Sequence, residues 1–166
     1  MAKAASRLSV PRITSSAGPL QERTNLVRLG DLTAGLSICE DLWNDEKMIP
    51  RRLYHQNPIA DLHAAGAEVL INTSASPFVM GKHKFRVDLF GSQVRQFGKP
   101  LVYVNQVGGN DELVFDGNSV VFDGQGKVIA QAKDFEEDLL VVDLSGIGYQ
   151  PMSSHSPAFT PVLPPR

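Results

Sequence analysis

A single cysteine, Cys39, stands in the 166 residues, so no internal disulfide can brace this fold. No apolar run approaches the length of a membrane span, and the N-terminus lacks the apolar core of a secretory leader, which makes the cytoplasm the expected location. Basic charge is scarce as a block. Lys and Arg total 16 against 18 Asp and Glu, the net charge is -2, and the basic residues are scattered, so neither nucleic acid nor an acidic membrane surface is an expected partner. The four histidines, His55, His63, His83 and His155, lie far apart without paired ligand spacing, so no metal site is expected. A phosphate loop is missing as well: Gly108-Gly109-Asn110-Asp111 lacks the Lys-Ser/Thr that follows one, and reads as a tight loop. Asp123-Gly124-Gln125-Gly126 lacks the later acidic ligands of a calcium loop and reads as a hairpin turn. There is no internal repeat.

What is present is an ordinary soluble composition, 42% hydrophobic and 20% charged, over a length that suits one domain with a real core. The first 20 or so residues carry Ser, Ala, Arg and Pro without a sustained period and read as a loose arm, with a short basic helix conceivable over residues 1–7. Residues 26–29 and 32–38 flank Gly30-Asp31 and read as a hairpin. Asn57-Pro58 opens a short amphipathic helix closed at Gly66, and 69–73 is a buried strand. Phe85, Leu89, Val94 and Phe97 are spaced for a helix that stops at Gly98, and 101–105 is the next strand, which is the alternation of an α/β layer. Beyond it, 113–115, 119–122, 128–132 and 139–143 read as short antiparallel strands at a sheet edge. Five prolines after Ser145 mark 145–166 as a proline-rich tail or linker.

Chemistry concentrates at Gly35-Leu36-Ser37-Ile38-Cys39-Glu40-Asp41-Leu42-Trp43, where a strand pattern breaks into an acidic turn at the cysteine. A thiol at a strand end is well placed for a nucleophile, and a helical turn opening there would favour the thiolate. A free cysteine is also a common small core residue, and these nine residues alone leave both readings open. Ser74-Ala75-Ser76-Pro77-Phe78 follows the strand at 69–73, where α/β folds put ligand-contacting loops, although a Ser-Pro pair is also simply a turn. The basic run Gly81-Lys82-His83-Lys84 with Arg86 suits a carboxylate ligand or a solvated first turn equally.

Taken together, GLSICEDLWND at 35–45, RRLYHQNPI at 51–59, INTSASPF at 71–78, GKHKFR at 81–86 and YVNQVGGNDELVFDGNS at 103–119 resemble the glutaminase domains of glutamine-dependent NAD synthetases, a branch of the nitrilase superfamily. The likeness runs in order over roughly residues 17–144. It implies an α/β fold of the nitrilase-like αββα sandwich type, incomplete here, with early strands and helices missing. It implies three regions: 1–20 a non-homologous arm, 21–144 the C-terminal part of a carbon-nitrogen hydrolase domain, and 145–166 the tail.

The resemblance also assigns roles. Cys39 matches the nucleophile that attacks the side-chain amide of glutamine, and the backbone N–H of Glu40 matches an oxyanion donor. Ser76 and Lys82 match positions that contact the glutamine. The family's general base, a glutamate on an early strand, and its oxyanion lysine, in a Lys-x-x-Leu-Pro motif, have no match. Lys3 lies in Ala2-Lys3-Ala4-Ala5 without Leu-Pro after it, and Glu22 and Glu40 stand in the wrong context for the base. The expectation is a glutaminase fragment that is inactive alone, with no cofactor of its own, since ATP and Mg would belong to a synthetase domain. Glutamine, a synthetase domain, a separately encoded N-terminal half and further copies of the chain are its implied partners. The alternatives are an amidase for another small amide and a non-catalytic subunit of a split enzyme.

Overall fold

The structure is a computed structural model that describes residues 25–45, 48–49 and 56–145. Strands β1 (Leu26–Leu29) and β2 (Leu32–Ile38) form the expected hairpin, with Leu29 opposite Leu32 and Leu26 opposite Gly35. Gly30 turns the chain at φ 63°, a conformation that costs glycine nothing. A five-residue 3-10 turn, Cys39–Trp43, follows β2 directly.

Helix α1 (Pro58–Ala64) begins where the sequence marks it. The Asn57 side chain accepts hydrogen bonds from the N–H groups of Ile59 and Ala60, and Pro58 occupies the first helical position, where a missing N–H is harmless. Strand β3 (Val69–Ser74) then runs parallel to β2, and α2 (Lys82–Phe97) crosses to β4 (Leu101–Asn105), parallel to β3. Helix α2 starts three residues earlier than its apolar spacing suggests, because Lys82, His83 and Lys84 carry no apolar signal. Its end is as expected: Gly98 adopts φ 65° and its N–H returns to the Val94 carbonyl at 2.7 Å.

Beyond β4 the chain leaves the sheet. Strands β5 (Val107–Asn110) and β6 (Leu113–Asp116) pair into a two-stranded ribbon; β7 (Val120–Phe122) then returns antiparallel to β4, with β8 (Val128–Gln131) outside it. The main sheet therefore has the order β1-β2-β3-β4-β7-β8. Two expectations are corrected here. Gly108, Gly109 and Asn110 are strand residues paired to β6, not a tight loop; the turn of the ribbon is Asp111-Glu112. Residues 139–143 form no strand, and Leu139 and Val141 are 80% and 87% exposed, with no neighbouring strand among the described residues to bond them. The arm, the candidate helix at 1–7 and the proline-rich segment beyond Ser145 lie outside the described residues.

Register decides which side chains share a face. Gly35, Leu70, Leu101 and Phe122 form one row across the sheet, and Ser37, Asn72, Tyr103 and Val120 the next. Both rows lie under the helices: Leu70, Leu101, Tyr103, Val120 and Phe122 share a buried cluster with Ile59 and Leu62 of α1 and Leu89, Phe90 and Val94 of α2. A Cβ on Gly35 would stand 2.8 Å from Ala67 Cβ, so the glycine lets α1 approach β2. Among the described residues the α/β character is thus one mixed sheet with two α-helices on one face.

Candidate active site

Parallel pairing of β2, β3 and β4 brings their carboxyl ends to one edge, where ligands of open α/β sheets bind. Cys39 comes immediately after β2 and has φ 49°, a left-handed backbone that few residues other than glycine adopt. The carboxylate of Asp41 accepts the Ile38 N–H at 2.8 Å and pins the turn that carries the thiol. Leu42, fully buried, anchors the same turn to the core. Cys39 is half-buried and Glu40 is exposed.

Lys82, the first residue of α2, faces this turn. Its ammonium donates to the Pro77 carbonyl at 3.1 Å and stands 5.5 Å from the centroid of the Trp43 ring. Burial holds the Lys82 pKa below the usual lysine range, as does the positive charge of Arg86; Cys39, Asp116 and Glu40 act against that shift. Trp43 also packs on Phe85, ring centroids 5.8 Å apart. These three residues, with Val79, Met80 and Gly81, line a shallow open pocket of about 380 Å³.

Beneath this surface lies a buried polar network. Arg86 forms an ion pair with Asp116, and both side chains are 2% exposed. Asn118 donates to the same carboxylate at 3.1 Å, and Gln131 donates to Asn118. Burial pushes the Asp116 carboxyl up, but the hydrogen bonds from Arg86 and Asn118 and the Arg86 charge outweigh it and leave the carboxyl below its ordinary range. Asn105, at the end of β4, ties three segments together: its side-chain oxygen accepts the Ser76 N–H at 2.9 Å and its amide donates to the Gly117 carbonyl at 2.8 Å. The Tyr103 hydroxyl, whose pKa burial pushes up, faces Ser74, Arg86 and Ser76. Among the described residues neither it nor the Ser76 hydroxyl makes a hydrogen bond of full geometry, and Ser76 is 3% exposed, so that hydroxyl lies below the pocket surface.

The edge therefore brings together Cys39, Glu40, Lys82 and the Ser76 loop, all singled out from sequence. Lys3, Glu22 and His55 lie outside the described residues. Among the described residues no three of His, Cys, Asp and Glu stand together as a metal site would require. Sequence reasoning missed the pairing of Arg86 with Asp116 and the bracing by Asn105. All three residues sit inside the conspicuous runs GKHKFR, YVNQ and VFDG, but partners 30 and 29 positions apart leave no local periodicity to read.

The family described as carbon-nitrogen hydrolase matches residues 11–148. The glutamine-dependent NAD(+) synthetase of Synechocystis is 48% identical over 113 residues, which is 67% of this chain and 20% of that protein. The enzyme of the same name from Thermotoga maritima is 39% identical over 124 residues, 74% of this chain and 20% of that one. The chain thus spans about a fifth of the length of these relatives. Among solved structures, the Acinetobacter baumannii glutamine-dependent NAD+ synthetase in complex with ADP superposes with a TM-score of 0.60 at 30% identity, over 70% of this chain and 20% of that one. A mutant nitrilase-superfamily amidase from Nesterenkonia AN1 gives 0.59 at 25% identity, over 75% of this chain and 42% of that one.

Proposed function

The chain belongs to the carbon-nitrogen hydrolase family, and from that premise we propose that it carries the cysteine side of a glutaminase site that releases ammonia for NAD synthesis. The observation that carries the reading is Cys39 itself: a thiol directly after a parallel strand, in a left-handed backbone conformation, with a lysine ammonium facing its turn.

In this reading the Cys39 thiolate attacks the side-chain carbonyl carbon of glutamine, and the carbonyl oxygen takes the negative charge of a tetrahedral intermediate. The N–H of Glu40 donates to that oxygen. Collapse breaks the C–N bond, a proton reaches the leaving nitrogen, and ammonia departs, leaving a thioester on Cys39. Water then cleaves the thioester, returning the thiol and free glutamate. Lys82 holds the α-carboxylate of the substrate. Ser76 shapes the same subsite, through its hydroxyl once the loop admits ligand or through the loop that Asn105 braces.

The proton transfers need a general base, and the oxyanion gains from a second cation. Among the described residues, neither Glu40 nor any other glutamate hydrogen-bonds Cys39. Each missing group costs orders of magnitude in rate, so the chain is expected to be inactive alone. A base and lysine supplied by a complementary chain, or by a synthetase-bearing parent protein, would complete the site. The Nesterenkonia likeness supports a second reading, hydrolysis of a different small amide. Identity of 48% to a glutamine-dependent enzyme favours glutamine.

The test is ammonia release from glutamine by the purified chain, with Cys39→Ala as control. No turnover alone, and Cys39-dependent turnover once the N-terminal half of a related glutaminase domain is added, is the expected result. Turnover that survives Cys39→Ala would remove the nucleophile assignment, and turnover by the chain alone would remove the need for a complementing half.

A further inference from the structure

Lys82, Lys84 and Arg86 all lie in the first turns of α2, and two of them are already committed. Lys84 pairs with Asp88 at 2.6 Å, and Arg86 pairs with Asp116. Lys82 differs. Among the described residues its ammonium makes no ion pair; it is held by the Pro77 carbonyl and the Trp43 ring. Both holders are electrically neutral, so the charge stays available to an anion, whereas a carboxylate partner would cancel it. The first residue of a 16-residue helix is also an unfavourable place for a cation, because the positive end of the helix dipole is there. Arg86 adds repulsion from the next turn. Cys39, Asp116 and Glu40 pull the other way but none bonds the ammonium among the described residues, so the direct contacts that hold it in place are the Pro77 carbonyl and the Trp43 ring.

We propose that Trp43 is a positioning residue for Lys82: its indole face fixes the ammonium beside the shallow pocket, so that the N–H donors not used by Pro77 meet the carboxylate of an amino-acid amide. The proposal rests on the glutaminase reading and adds to it a residue that binds no substrate atom itself. Trp43 is suited to the role by its place in the chain. It ends the 3-10 turn that Cys39 begins, so the thiol and the ring belong to one short element. The buried Leu42 between them anchors that element, and Phe85, one turn along α2 from Lys82, packs against the indole ring with its plane tilted by 46°. The nucleophile and the substrate-holding cation are thereby set against each other by a single side chain. An aliphatic residue at 43 would keep part of the apolar contact and leave the ammonium with no π face to attract it.

Because Cys39 is the sole cysteine, the rate of its alkylation by iodoacetamide reports the site without turnover. Protection of Cys39 by L-glutamine, titrated in the full chain, gives an apparent affinity. We expect Trp43→Leu to weaken it by about five-fold, the scale of one cation–π contact, and Trp43→Phe, which keeps a smaller π face, to lose only about half of that on a logarithmic scale. Urea unfolding of each variant separates this from loss of fold, and Trp43→Phe keeps the test alive should Trp43→Leu not fold. Equal protection in all three proteins would overturn the role of Trp43 and leave the glutaminase reading standing. Absence of protection in the unaltered chain, both alone and with the complementing N-terminal half added, would remove both. An independent check is the NMR signal of the Lys82 ε-methylene, which the Trp43 ring current should move upfield in the unaltered chain; a signal at the position of a free lysine would overturn the contact.

Discussion

The two faces of the six-stranded sheet are built from alternate residues of the same strands, yet they have different fates. On the helix face, Leu70, Leu101, Tyr103 and Phe122 are 1% exposed or less. On the opposite face, Leu36, Ile71, Val102 and Val121 form one row and Ile38, Thr73 and Val104 another, and Leu36, Ile38 and Val104 are 37%, 59% and 45% exposed. Val121, beside β8, is buried, but the three exposed residues show that apolar character alone does not decide burial; among the described residues the layer of α1 and α2 does. The covered side also buries Ser37 and Asn72 of the sheet together with Arg86 of α2 and Asp116 of β6, polar groups that a purely apolar core would not need. They cost desolvation, and what they supply is position: Arg86 and Asn105 hold the β6 end and the Ser76 loop against α2 and β4.

The largest effect should come from breaking that network. Arg86→Leu leaves the buried Asp116 carboxylate with amide donors only, and is expected to lower unfolding free energy by about 3–5 kcal/mol in urea titrations. A loss below about 1 kcal/mol would mean that the covered face is held by apolar packing alone.

A smaller effect should follow from acid. The Asp116 pKa is lower in the folded chain than its ordinary value of 3.8, so the unfolded chain binds the proton more readily. The carboxylate therefore contributes stability above that ordinary value and loses it as pH falls below it. Urea midpoints measured between about pH 5 and pH 3 should fall more steeply in the unaltered chain than in Asp116→Asn. Equal slopes would assign the acid response to other carboxylates.

The smallest effect should come from the other face. Val104→Thr, half exposed on the side of β4 that no described residue covers with a helix, should change stability by no more than about 0.5 kcal/mol. A cost near that of a core substitution, about 2 kcal/mol or more, would show that this face is covered in solution and would erase the contrast.

How much of this was legible beforehand follows from the same physics. Strands β2, β3 and β4 and both helices announce themselves, because burying one side against a layer imprints a period on the sequence. Gly108 and Gly109 suggested a loop since glycine has no side chain to alternate; their strand is fixed by pairing with Val114 and Phe115. Leu139 and Val141 alternate as a strand would, but a strand needs a neighbour, and sequence does not say whether one is there. Cys39 was conspicuous for its place at a break in pattern. Lys82 and Ser76 stand out through the motifs around them, and Lys82 faces the Cys39 turn. The Arg86–Asp116 pair was not visible, since it depends on how α2 and the β5–β6 ribbon fold back on each other.

Lys82 and Arg86 stand four residues apart, about one turn of α2, and have opposite constraints. Arg86 is locked into the interior, so the helix cannot roll or slide without tearing its ion pair. Lys82 rests on a ring and a carbonyl that release it cheaply. On the α2 side, the adjustment expected on meeting a ligand is therefore side-chain rotation of Lys82, in picoseconds to nanoseconds, and not a slower roll of the helix beneath it.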